Sequence, residues 1–269
     1  MEQTINMKEI KHPNAILRML RQEDDPNPDY IKKIFATEFY ARPDNYSRKK
    51  EIMQRYEKYV SLINGSVLNH LKVKKADRDN QKKLGEVVSG ADEYDMFRFV
   101  NSFLYNDIKL KYNESAMLSS LTENQFNCFT ASVLVWDAMR RIGKETQGVL
   151  TQNSNFLTHI FLAGDSIALD VTTNQVFSKH KIPRMYKGNK IEIIDVEKNI
   201  IGMAYCQAAS LLDIPQGNPR LDAKRRKTLA EISLKHVLPS TISTCAKLNL
   251  IFATLYPNVV QRIRNNGDK

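Results

Sequence analysis

Cysteine is scarce in this sequence: three residues in 269, Cys128, Cys206 and Cys245. An odd, widely spaced set with no CxxC pair excludes a disulfide scaffold and a zinc finger. Such thiols read as reduced, which fits a cytoplasmic chain or one exported without a classical signal peptide. No stretch approaches the roughly 18 apolar residues that a bilayer-spanning helix needs. The opening Met1-Glu2-Gln3-Thr4 lacks the basic start and apolar run of a signal peptide, so the expectation is a soluble protein. No set of His, Cys and carboxylate residues has metal-ligand spacing, and neither a metal nor another cofactor is expected. Internal repeats and base-stacking motifs are also missing, and Trp136 is the single tryptophan.

What is present is an ordinary globular composition, 42% hydrophobic and 26% charged. A chain of this size buries a substantial core unaided. The net charge of +10 is unevenly placed: residues 1–120 carry 21 basic and 18 acidic side chains, residues 121–178 carry 3 and 5, and residues 179–269 carry 16 and 7. The C-terminal excess centres on Lys224-Arg225-Arg226-Lys227, with Lys179, Lys181, Arg184, Lys187 and Lys190 upstream. It points to an acidic protein partner, with nucleic acid ranked last for want of a fold signature. A solvated helix face explains the same charges.

The chain reads as α+β, with a mostly helical N-terminal part. Helices are expected at 14–21, with Ile16, Met19 and Leu20 on one face, and at 30–40 and 47–63, the last stopped by Gly65. The loop 23–29 precedes the second of these, and the polar stretch 72–83 leads through Gly85 and Gly90 to a helix at 92–105. Residues 128–142 are apolar around most of a helical circumference, the mark of a buried helix. Asn127 is its N-cap, Arg140 and Arg141 face the negative end of its dipole, and Gly143 closes it. The period then switches from 3.6 to 2, giving strands at 146–152, 156–163, 166–171 and 190–196. Helices return at 199–212, 222–236 and 240–256, punctuated by Pro215, Pro219, Pro239 and Pro257.

The chemistry gathers in the second half. Gly164-Asp165 lies between two apolar runs, and a glycine first in a two-residue loop suits a type II′ hairpin. That turn pairs Ala163 with Ser166 and, further along, His159 with Asp170, on one face and in side-chain reach. Cys128 opens the buried helix, where unpaired backbone N–H groups and the positive end of the dipole favour a thiolate. An imidazole oriented by a carboxylate is the proton acceptor and donor such a thiol needs. Cys128, His159 and Asp170 therefore read as a nucleophilic triad. Cys206 and Cys245 read as small buried hydrophobes, and His12, His70, His180 and His236 as surface or packing residues.

Over residues 95–175 the sequence resembles the transglutaminase-like superfamily, circularly permuted relatives of papain-like cysteine proteases. The resemblance rests on Asn127-Cys128 opening an apolar helix, Arg140-Arg141-Ile142-Gly143 closing it, Thr158-His159 in a strand, and Leu169-Asp170-Val171-Thr172 in the next. Phe126 stands where members often carry glycine. The resemblance implies Cys128 as nucleophile, His159 as general base and acid, Asp170 as the orienting carboxylate, and the cysteine helix packed on an antiparallel sheet. An oxyanion would be met by the backbone N–H of Cys128, with Gln125 or Asn124 as the second donor. The organisation implied is a helical N-terminal region at 1–90, a papain/transglutaminase-like catalytic core at 91–197, and a basic helical C-terminal extension at 198–269. The activity implied is thioester-mediated amide hydrolysis, either glutamine deamidation or peptide cleavage of a protein substrate. Amine transfer, as in a transglutaminase, and a non-catalytic module that binds through the basic helices are the alternatives.

Overall fold

A computed structural model describes Ile16, Leu20 and residues 29–77, 90–154, 158–210, 212, 219–236 and 238–267, with the side chains of 70–77, 90–92, 219–220 and 256–267 excepted. Met19, most of the 23–29 loop, residues 78–83, Gly85, Phe156 and Pro215 lie outside the described residues. The helices are α1 (Tyr30–Ala41), α2 (Lys49–Asp77), α3 (Gly90–Asn106), α4 (Cys128–Arg141), α5 (Ile182–Met185), α6 (Val196–Ser210), α7 (Pro219–Ser233) and α8 (Ser240–Gly267). The strands are β1 (Lys111–Tyr112), β2 (Gln125–Phe126), β3 (Gln147–Gln152), β4 (Thr158–Ala163), β5 (Ile167–Asp170), β6 (Gln175–Ser178) and β7 (Lys190–Asp195). The protein is α+β, with an antiparallel five-stranded sheet in the order β6-β5-β4-β3-β7. Among the described residues no helix is long and apolar enough to cross a membrane. The chain divides into two compact units, one formed by residues 1–49 with 197–269 and the other by residues 50–196.

Two helices run past their expected ends. α2 continues through Gly65 to Asp77. A glycine inside a helix costs roughly 0.5–1 kcal/mol. Here the buried series Ile52, Tyr56, Val60, Ile63 and Val67 carries the apolar stripe across it. α8 likewise passes Pro257, where the backbone bond to the carbonyl one turn earlier is missing, and ends at Gly267. β6 fell in no expected strand; it pairs with β5 from Ile167↔Ser178 to Asp170↔Gln175 and forms one edge of the sheet.

In the unit spanning 50–196, α4 packs on β4, and α3 lies against β5 and β6. One sheet face buries Val149, Phe161, Ala163, Ala168 and Phe177 with Ile182. Arg140 and Arg141 do more than face a helix dipole. Both reach Asp137, which is fully buried, at 2.9 and 2.7 Å, and Arg141 also holds Glu57 of α2 through two bonds of 2.7 and 3.0 Å. Tyr56 donates at 3.0 Å to the same Asp137 oxygen that Arg141 reaches, so one carboxylate ties α2 to α4. Gly143, at φ +72°, closes α4 as expected, and Trp136 is buried with Arg140 over its ring.

The hairpin that carries His159 is not the one expected. The observed pairs are Leu162↔Leu169 and Ala163↔Ala168, which leaves four residues in the loop and moves the register by two. Gly164 does not have the positive φ that a type II′ turn requires. Its N–H instead bonds the carbonyl of Ile167 at 2.8 Å. The cause is Glu93 of α3, 7% exposed. Its carboxylate accepts the backbone N–H groups of Asp165, Ser166 and Ile167 at 2.7, 2.9 and 3.1 Å, and the Ser166 hydroxyl at 2.8 Å. Three consecutive amides turned towards one anion need a wider loop than two residues supply. Glycine is required at 164 because a Cβ there would lie 1.6 Å from Glu93 Oε1.

In the unit formed by 1–49 with 197–269, Ile16 and Leu20 are helical and buried, α1 packs on α7, and α7 on α8. The basic run on α7 follows the helical period rather than forming one patch. Lys224 and Lys227 are exposed and Arg225 is half-buried beside Asp222, whereas Arg226 is 4% exposed and turned inward onto Asn249.

Replacing Glu93 with Ala removes the acceptor of three loop amides, of which that of Ile167 is buried and costs about 1–3 kcal/mol when left unsatisfied. Hydrogen exchange at Asp165, Ser166 and Ile167 is expected to accelerate at least tenfold in Glu93→Ala. Gly164→Ala is expected to do the same by displacing the carboxylate. Unchanged exchange in both variants contradicts the anchoring role of Glu93.

Candidate active site

Cys128 is the first residue of α4 and is partly exposed. Its position is fixed by Asn127, whose side chain accepts the Thr130 N–H at 2.9 Å while the Thr130 hydroxyl accepts the Asn127 N–H at 2.8 Å. This capping box satisfies two of the helix's first donors. The Asn127 amide also donates to the carbonyls of Ala116 and Glu114 at 2.9 and 3.2 Å, which pins the start of the helix to the preceding chain. One turn further on, Ser132 donates to the carbonyl of Ile160 at 3.4 Å. Residues four apart share a helix face. The bond that docks α4 onto β4 therefore also directs Cys128 towards the residue next to Ile160, which is His159.

The imidazole of His159 bridges the other two groups. Its Nε2 lies 2.8 Å from Asp170 Oδ2, and the Cys128 thiol lies close enough to the ring to favour its charged form. With Nε2 committed to the carboxylate, Nδ1 is the nitrogen left to exchange a proton with sulfur. Asp170 is fully buried and accepts on both oxygens. Oδ2 takes His159 and the Tyr186 hydroxyl at 2.7 Å. Oδ1 takes the Thr172 hydroxyl at 2.6 Å, the Thr172 N–H at 3.1 Å and the Thr173 N–H at 3.3 Å.

Burial opposes the charge on each partner, but their mutual bonds win. His159 is disfavoured as a cation by desolvation, yet hydrogen bonds and attraction to Asp170 and Cys128 push its pKa up from 6.5 to about 10. For Asp170, desolvation raises the pKa, and the bonds from His159, Thr172 and Tyr186 outweigh it and hold the carboxyl at about 2. Tyr186 is raised first by burial and then by the carboxylate it serves.

The structure thus brings Cys128, His159 and Asp170 together. Gln125 and Asn124 lie just ahead of the cysteine with their oxygens engaged. Gln125 Oε1 accepts from Asn113 at 2.7 Å, leaving its amide nitrogen as donor. Asn124 sits in the left-handed region at φ 57°, its side-chain oxygen taken by the Tyr59 hydroxyl and its carbonyl by Lys111. That geometry makes Asn124 an anchor of the β1–β2 pair. Tyr112 and Tyr186 were not among the sequence candidates. Tyr112 is 56% exposed, packs edge-on against buried Phe126, and is raised in pKa by desolvation and then by the nearby Cys128. Tyr186 stacks on Phe161 at 5.1 Å while reaching Asp170. A lone exposed tyrosine in a two-residue strand, and one just past a single helical turn, carry no periodic signal in the sequence. His180 is exposed against Ser178, and His236 packs beside Tyr205.

No family model matches this chain, and neither does any curated protein or solved structure.

The pair makes its stability contribution testable. The folded pKa of His159 is raised, so its share is complete below about 6.5 and is lost as pH rises through about 10. That of Asp170 is lowered, so its share is complete above about 3.8 and is lost as pH falls through about 2. In Asp170→Asn the His159 titration, followed by NMR, is expected to move back towards about 6.5. The variant's stability deficit in chemical denaturation is expected to be greatest between those two limits. A His159 titration unmoved by the substitution contradicts the pairing.

Proposed function

We propose that this protein is a cysteine-dependent amide hydrolase of the transglutaminase-like kind, acting through a thioester on a carboxamide or peptide bond of a protein substrate. The observation that carries this reading is the imidazole of His159 held between the Cys128 thiol and a fully buried, five-fold hydrogen-bonded Asp170. A structural carboxylate needs no thiol on the far side of its histidine. The thiol hydrogen passes to His159, and the thiolate attacks the carbonyl carbon. The resulting oxyanion is stabilised by the N–H of Cys128 at the start of α4, with the Gln125 amide nitrogen as the second donor. Collapse expels ammonia or an amine, which takes its proton from the imidazolium. His159 then removes a proton from water, hydroxide attacks the thioester, and the carboxylate product leaves as the thiol regains its hydrogen. Asp170 remains ionised throughout and holds the ring in place.

The first test is site-resolved alkylation by iodoacetamide from pH 5 to 9, read by peptide mass spectrometry. Cys128, His159 and Asp170 acting together predict rapid labelling of Cys128 at the acidic end and loss of that advantage in His159→Ala. Identical labelling of Cys128 in wild type and His159→Ala removes the reading. Release of ammonia from acidic glutamine-containing peptides is expected to fall by roughly 10³-fold or more in Cys128→Ala. Incorporation of an added fluorescent primary amine, in place of ammonia release followed by hydrolysis, would assign the acceptor as an amine.

A further inference from the structure

The two remaining cysteines lie together in the unit formed by 1–49 with 197–269. Cys206 on α6 is buried, and Cys245 on α8 is partly exposed. Asn249, one turn beyond Cys245, directs its Nδ2 at both sulfurs, 3.8 Å from Cys206 Sγ and 3.7 Å from Cys245 Sγ, and the Cys206 thiol donates to the Ile242 carbonyl at 3.9 Å. The Ser210 hydroxyl sits 3.7 Å from Cys245 Sγ and itself accepts from Asn249 at 3.0 Å. Behind the amide, the buried Arg226 guanidinium donates twice to Asn249 Oδ1, at 3.0 and 2.7 Å. This is a buried cation and a set of donors arranged around two sulfurs, with one of them reachable from solvent.

We propose that Cys206 and Cys245 form a peroxide-reactive dithiol, a modification site separate from Cys128, in which Cys245 reacts first and Cys206 resolves it to an intramolecular disulfide. The Cys245 thiolate attacks one oxygen of a hydroperoxide, the O–O bond breaks, and a sulfenic acid forms as the other oxygen leaves as water or an alcohol. The Cys206 sulfur then displaces hydroxide from that sulfenic acid. The Cys206 proton and the hydroxide leave as a second water, and the S–S bond forms. Two thiols lose two electrons and the peroxide gains them. The roles follow from the surroundings. Hydrogen bonding from Cys206 and Ser210, with attraction to Arg226, brings Cys245 down to about 7 against the opposing effect of burial. The bond to Cys245 and complete burial push Cys206 up, so it stays protonated until the first step has occurred. An intramolecular pair of this kind serves sensing in a reducing compartment, where permanent disulfides are rare.

The three cysteines fall on separate tryptic peptides, 112–140, 199–220 and 236–247, which makes the test direct. The full chain is treated with graded hydrogen peroxide at pH 7, quenched by alkylation and digested without reductant. The expected product is a disulfide joining peptides 199–220 and 236–247, reversed by dithiothreitol. In Cys206→Ser, Cys245 is expected to yield a dimedone adduct. In Cys245→Ser, Cys206 is expected to oxidise about tenfold more slowly, in line with the smaller thiolate fraction of an ordinary or raised thiol. Circular dichroism of both variants establishes that they are folded. Failure of the cross-linked peptide to form in wild type, with Cys245 passing directly to sulfinic acid or staying free, overturns the proposal. So does equal reactivity of Cys206 and Cys245 in the single variants. Neither result bears on Cys128, whose peptide is read separately.

Discussion

A fully buried carboxylate, Asp170, is the constraint on which the candidate site depends. Removing a carboxylate from water costs several kcal/mol unless the protein replaces its hydration with donors. Here the replacement comes from four residues: His159 and Tyr186 on one oxygen, Thr172 and Thr173 on the other. Each of these bonds also fixes a segment. The turn after β5 folds back on its own strand, the chain beyond α5 is held against Phe161, and the imidazole loses its rotational freedom. Orientation of His159 is thus a by-product of meeting the needs of a charge that has no water.

The same device recurs twice in the unit spanning 50–196. Asp137 is fully buried and takes Arg140, Arg141 and Tyr56, which holds the far end of the cysteine helix to α2. Glu93 takes three loop amides and a hydroxyl, which holds α3 to the tip of the His159 hairpin. Apolar contacts between helix and sheet are tolerant of small slides, whereas a carboxylate surrounded by donors is not. Three such anchors, at the helix end, at the hairpin tip and at the Asp170 turn, explain how a thiol from one element and an imidazole from another meet.

What could be read in the sequence follows from sequence distance. The start of the cysteine helix was legible because Asn127, Cys128 and Thr130 are neighbours and the cap is a local interaction. The strands β3, β4, β5 and β7 were legible from alternation, whereas the short β1, β2 and β6 were not. The loop was not, because what shapes it is Glu93, some 70 residues earlier, which no turn rule consults. Gly65 looked like a stop because the cost of a glycine is visible locally and the burial of Val67 is not. Tyr112 and Tyr186 reach the site through tertiary packing alone. Cys206 and Cys245 were assigned separately to the core, and their meeting depends on how α6 and α8 face each other.

The error in hairpin register left His159 and Asp170 in contact for a geometrical reason. A slip of one residue sends every side chain to the opposite face, while a slip of two preserves the face and changes only the opposing partner. Carried one step to Phe161 and Asp170, the observed register places Asp170 on the diagonal from His159, and Thr172 lies in the turn that follows β5. Diagonal neighbours on one sheet face are about 7–8 Å apart along the backbone, still within reach of a long side chain. An imidazole and a carboxylate span that gap with a 2.8 Å bond. The turn residue Thr172 serves both groups: it donates to Asp170 at 2.6 Å while its hydroxyl lies 3.4 Å from His159 Nε2. The diagonal placement thus leaves the turn after β5 free to bring a supporting hydroxyl against both the imidazole and the carboxylate.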